Sequence, residues 1–282
     1  MKTLLYSSLL VLFALSLQNC KGKNAQELEP KTQSAETVST VSDIIGSEVT
    51  YSDETTEMKG YIAHNSSSTD KRPGILVVHE WWGHNDYSRM RADMLADLGY
   101  VALAVDMYGD GKLAAHPEDA GKFAGMVMQN IPEAKLRFEA ALAELKNHPK
   151  VDSDKIAAIG YCFGGSVVLS MANAGLDIDA VAAFHSGVAL PIMPSEDLKA
   201  KVLVCNGADD PFISEESIAS FKTKMDELEA DYKYVSYEGV VHSFTSKEAD
   251  ENGKKFDLPL AYDEKADMAS WDELQSLLNS VF

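Results

Sequence analysis

The chain has 282 residues, 45% of them hydrophobic and 24% charged, with 25 Lys and Arg against 44 Asp and Glu. This composition excludes a disordered or collagen-like chain, and the length fits one large α/β domain or two small ones. A formal net charge of −19 argues against nucleic acid or an anionic membrane surface as a partner, because both would be repelled.

At the N-terminus, Lys2 precedes an apolar run at residues 4–17. The run is shorter than the roughly 18–20 apolar residues of a membrane span and reads as a targeting leader. Leu17-Gln18-Asn19-Cys20 resembles the lipobox of bacterial lipoproteins, whose cysteine receives lipid after cleavage, and departs from it at Asn19, where a small residue is preferred. The resemblance implies a signal peptide over 1–20, lipidation of Cys20, and an exported protein whose only membrane contact is its lipid anchor, on the periplasmic or cell-surface side. Residues 21–43, rich in Lys, Gln, Glu, Ser and Thr, read as a flexible polar tether. A folded domain is expected over 44–282.

That domain opens with two expected antiparallel strands at 48–51 and 58–63. Nearly continuous apolar runs follow at 74–79, 101–106, 156–160, 180–184, 202–206 and 232–237, as strands covered on both faces require. Between and after them, helical spacing of apolar residues predicts helices at 87–98, 117–129, 132–147, 165–174, 214–230 and from 263 to the end. Strands alternating with helices predict one doubly wound, mostly parallel sheet with helices on both faces.

Gly160-Tyr161-Cys162-Phe163-Gly164-Gly165 follows an apolar strand and opens a small-residue helix. The pattern G-x-C-x-G is that of a nucleophile elbow with cysteine in place of serine, and a helix N-terminus favours thiolate. Cys162 as nucleophile needs an acid and a histidine later in the chain. Asp210, in Gly207-Ala208-Asp209-Asp210-Pro211, and His242, in Gly239-Val240-Val241-His242-Ser243-Phe244, supply them in the order of an α/β-hydrolase triad, each just past a strand. Asp209 competes with Asp210, which the G-x-x-D-P pattern favours. Backbone N–H groups of Trp81, in the loop after the first long strand, and of Phe163 are the candidate oxyanion donors. Zinc is not expected: His84 lies five residues beyond His79, not the four of H-E-x-x-H, and the segment follows a strand. Cys20, Cys162 and Cys205 differ too much in context to form a disulfide framework.

From residue 48 onward the chain resembles the dienelactone hydrolase family. The resemblance rests on Val78-His79-Glu80 with Gly83, Asp106-Met107-Tyr108-Gly109, the elbow, Asp210-Pro211, His242-Ser243-Phe244, Ala261-Tyr262-Asp263 and the segment from Ala266 to Trp271. It implies the α/β-hydrolase fold, a Cys162–His242–Asp210 triad, and a Glu80 that contacts the thiol and helps to ionise it when substrate arrives. It also calls for two arginines that bind a substrate carboxylate, and here the chain departs: the matching places hold Gly109-Asp110-Gly111 and Ser246. Arg72, Arg89, Arg91 and Arg137 lie in no matching motif, leaving Lys112 and Lys247 as the nearby cations, and Trp81 and Trp82 suggest an apolar rim. The expected activity is cleavage of a small-molecule ester, lactone or thioester through an acyl-enzyme, by a monomer with no cofactor. An acyltransferase or thioesterase of the same fold, and an anchored binding protein, are the rival readings.

Overall fold

The computed structural model describes residues 43–282. The leader, Cys20 and the tether up to residue 42 lie outside the described residues. Eight strands, β1 (Ile44–Ser52), β2 (Glu57–Asn65), β3 (Arg72–Val78), β4 (Val101–Val105), β5 (Val151–Tyr161), β6 (Ala180–Phe184), β7 (Lys201–Gly207) and β8 (Tyr232–Tyr237), form one sheet in the order β1-β2-β4-β3-β5-β6-β7-β8. Only β2 runs against its neighbours; the pairings from β4 through β8 are all parallel.

The helices are α1 (Asp86–Asp97), α2 (Pro117–Gln129), α3 (Ile131–Asn147), α4 (Phe163–Asn173), α5 (Glu215–Glu227), α6 (Ala249–Phe256) and α7 (Glu264–Val281). Alternate strand residues feed two cores. Leu76, Val78, Ile156, Ala158, Val181 and Val204 pack beneath α2 to α5, while Ile75, Val77, Ala157, Ile159, Ala182 and Leu203 pack beneath α1 and α7. Both faces of the central strands are therefore buried, which is why their sequences are apolar without alternation. The chain passes from β3 to β4 on one flank and then to β5 on the other, so the crevice at the C-terminal ends of β3 and β5 is a topological switch point.

Three details depart from expectation. β1 and β2 are nine residues each, longer than the short pair predicted. β5 begins at Val151 because the polar stretch before Ile156 bulges where its register against β3 shifts. α6 was not expected: its apolar face is only Ala249, Gly253 and Phe256, a sparse helical spacing within a charged stretch.

Candidate active site

β5 ends at Tyr161 and α4 starts at Phe163, so Cys162 alone makes the turn, with φ 53° and ψ −116°. Such a conformation in a non-glycine residue costs about 1–3 kcal/mol and persists only where its surroundings enforce it. They do: Cys162 N donates to the Phe184 carbonyl (2.9 Å), and its own carbonyl accepts from Gly165 N (3.1 Å) and Ser186 Oγ (2.9 Å). The three glycines are required by close approach. A Cβ would fall 2.2 Å from the Gly164 carbonyl at Gly160, 2.3 Å from the Val78 carbonyl at Gly164, and 1.7 Å from Ser186 Oγ at Gly165.

Cys162 and His242 line the same cleft, of about 320 Å³. His242 Nδ1 lies 2.7 Å from Asp210 Oδ2, and Asp210 Oδ1 accepts from Phe212 N (2.9 Å). With Nδ1 engaged, Nε2 is the nitrogen left for Cys162. Asp209 is exposed in the turn, whereas Asp210 is buried and is the one that meets His242. Burial opposes charge on His242, but Cys162 and the Asp210 carboxylate outweigh it and raise the ring to about 10. The neighbouring His185, 5.2 Å away ring to ring, is held well below its ordinary value by burial and by the His242 and Arg91 charges.

Loops after β3 and β4 close the other side. Asp106 accepts from the N–H groups of Lys59 (3.1 Å), Tyr108 (3.0 Å), Gly109 (2.9 Å) and Gly111 (2.8 Å), and so fixes the turn after β4. Tyr108 Oη then donates to the Trp81 carbonyl (2.9 Å). His79, buried and lowered by desolvation, accepts at Nε2 from Met107 N (3.3 Å) and ties the two loops together. Among the described residues neither Trp81 N–H nor Phe163 N–H is taken by an intramolecular acceptor, and none gather three or more His, Cys, Asp or Glu as metal donors.

A family model for the dienelactone hydrolase family matches residues 58–282. The chain belongs to that family. It is a hydrolase of ester or lactone bonds on the α/β-hydrolase fold. It is 29% identical over 202 residues to Protein usf of Aquifex pyrophilus, covering 69% of this chain and 85% of that protein. It is also 28% identical over 221 residues to a putative carboxymethylenebutenolidase of Aquifex aeolicus, covering 77% and 90%. The solved structure m3DLH superposes with a TM-score of 0.81 at 34% identity, covering 85% of this chain and 99% of that one. A dienelactone hydrolase-like promiscuous phosphotriesterase from metagenomic libraries gives 0.79 at 32% identity with the same coverage.

In this dienelactone hydrolase family member Glu80 is buried beside His242, and its Oε1 accepts from Ser243 Oγ (3.1 Å), the hydrogen bond the structure gives this carboxylate. Burial raises Glu80 to about 7, against the pull of His242 and of the Ser243 bond. Ser243 itself sits at φ 59°. Its role went unseen in the sequence, although His242-Ser243-Phe244 was visible as a motif, because only the fold sets it against a residue 163 positions earlier. Phe212 was missed too: its ring stands nearly perpendicular to the His242 ring, 5.1 Å between centroids. Cys162 and Cys205 are both free, and Cys205 is buried at the end of β7, its thiol pushed to about 12 by burial.

Proposed function

We propose that the protein cleaves a small-molecule ester, lactone or thioester through an acyl-enzyme on Cys162, with His242 as proton carrier and Asp210 as its orienting partner. The observation that carries this reading is the His242–Asp210 contact of 2.7 Å beside a cysteine held on a strained strand-to-helix turn. The raised His242 takes the thiol proton as Cys162 attacks the carbonyl, and the imidazolium so formed then protonates the leaving group. Trp81 and Phe163 N–H groups receive the oxyanion, an interaction worth about 3–4 kcal/mol per donor in comparable sites.

Acylation removes the negative charge on sulfur that raises His242. The ring then falls back and becomes the base that takes a proton from water. Acid therefore suppresses deacylation. Glu80, raised to about 7 by burial and bonded to Ser243 Oγ rather than to the thiol, carries less negative charge into the site than an ordinary carboxylate would.

Intact-protein mass spectrometry during turnover of p-nitrophenyl butyrate tests the mechanism. A butyryl adduct mapped to Cys162, together with a fall in kcat of about 10⁴-fold or more in Cys162→Ala, is the expected result. Full activity in the alanine variant would sink it. Added alcohols and thiols show whether acceptors other than water take the acyl group. For the N-terminus we propose lipidation of Cys20 and export, supported by the leader sequence; labelling with a fatty-acid analogue that is lost in Cys20→Ala is the expected outcome.

A further inference from the structure

We infer that the substrate is uncharged and apolar on both sides of its scissile bond, an inference that rests on the hydrolase reading above and narrows it. The walls of the cleft around Cys162 and His242 come from Trp81, from Ala124, Gly125 and Met128 on α2, and from Phe212 and Leu260. No other lining side chain can ionise near neutral pH. The Ser166 hydroxyl also lines the cleft, but it is committed to the Gly187 carbonyl at 2.8 Å. The polar features left to a substrate are the reacting pair and the free N–H groups of Trp81 and Phe163.

The four arginines, and Lys112 and Lys247 near the places where the family carries arginine, are engaged elsewhere. Arg137 and Lys112 line a separate groove on the other side of α2. There Arg137 donates to the Met107 carbonyl (2.9 Å) and pairs with Glu133, while Lys112 pairs with Asp110 (3.2 Å). Arg91 is buried against Asp267, Arg89 pairs with Glu48, and Arg72 donates to Ser68 Oγ. Lys247 sits over the Tyr262 ring. A substrate carboxylate in the cleft would lose water and find no cation but the His242 ring, which is already held by Asp210 and Cys162, and this is costly, whereas each buried methylene is favourable. A volume of about 320 Å³ suits a compact acyl or aryl group.

Matched ester pairs test this on the full chain. On the acyl side, p-nitrophenyl pentanoate is compared with the p-nitrophenyl monoester of glutaric acid; on the leaving-group side, methyl 4-butyryloxybenzoate with 4-butyryloxybenzoate. Neutral members should be favoured in kcat/KM by about 100-fold, the penalty expected for an unpaired charge. A second arm places a cation in the wall. At Gly125 a new Cβ meets nothing nearer than Gln129 Nε2 at 3.8 Å, so Gly125→Arg is accommodated. It should raise kcat/KM for a carboxylate ester about tenfold relative to its neutral partner, by supplying a guanidinium fork. Carboxylate members cleaved as well as neutral ones by the wild-type protein, with the butyryl adduct still forming on Cys162, would overturn this inference alone. Silence on both members of each pair, with no adduct, would overturn the acyl-enzyme mechanism and the inference with it.

Discussion

His242 stands between two unlike regions. In front of it lies the apolar cleft, lined by Trp81, Met128, Phe212 and Leu260. Behind it lies a dense polar cluster. There the Thr245 hydroxyl contacts Tyr87 Oη (2.5 Å) and His185 Nε2 (2.8 Å), and its carbonyl accepts from Arg91 Nη2 (2.8 Å). Arg91 also donates through Nε to Tyr87 Oη (3.2 Å) and pairs with Asp267. Since α1 carries Arg91 and α7 carries Asp267, the loop bearing His242 is pinned to both helices on one face of the sheet. The contrast teaches where polarity is used: behind His242 it fixes geometry, and in front it is withheld so that substrate meets only reacting groups and apolar wall.

That division fails if a residue behind proves dispensable, and the sharpest case is Arg91→Leu. Burial disfavours the Arg91 charge, yet Tyr87, Tyr161 and Asp267 hold the guanidinium protonated. Removing it leaves Asp267 and the Thr245 carbonyl without their cation. Breaking a buried pair in this way costs about 3–5 kcal/mol. Urea unfolding should show this loss as a lower midpoint, and the surviving folded protein should have a reduced kcat with KM nearly unchanged. A midpoint within error of the wild type would dissolve the contrast.

Glu80 sharpens it by pH. Its folded value of about 7 lies above the ordinary 4.5, so the fold prefers the neutral acid. Between these values the folded protein keeps a proton that the unfolded chain has released. Stability from this group is therefore fully present below pH 4.5 and lost as pH rises through 7, a change of about 3 kcal/mol. His242 acts in the same direction at higher pH: raised from 6.5 to about 10, it stabilises the fold fully below 6.5, and that stability is lost as pH rises through 10. Urea midpoints for Glu80→Gln should therefore change less between pH 4 and 8 than those of the wild type. Equal slopes for both proteins would mean that Glu80 does not titrate where its burial places it.

Much of the front was legible in the sequence, and most of the back was not. The elbow could be read because its backbone approaches its neighbours so closely that glycine is required at 160, 164 and 165, and such a constraint leaves a local pattern. The meeting of Asp210 with His242 could be anticipated because both follow strands in a fixed chain order. The apolar cleft was foreshadowed by Gly109-Asp110-Gly111 and Ser246 standing where arginines were expected. Arg91, in contrast, looks like any charged residue on a helix, and its bond to the Thr245 carbonyl spans 154 positions. No local pattern encodes a partner that far away. Lys112 had been a candidate to replace the missing arginines, and its ion pair with Asp110 in the other groove shows why position along the chain did not settle that question.

The smallest expected effect comes from the front wall. Phe212 is 55% exposed, so its ring contributes little to folding, yet it lines the cleft and packs against the His242 ring. Phe212→Ala should leave the urea midpoint unchanged and raise KM for p-nitrophenyl butyrate about fivefold, the effect of losing part of one apolar contact with substrate. The change in kcat should be smaller than that in KM, because Asp210 keeps its bond to His242 Nδ1 and accepts from the backbone N–H of residue 212, which the substitution retains. If kcat collapsed instead while KM held, the Phe212 ring would be positioning His242, and the line between the two regions would have to be drawn through the cleft itself.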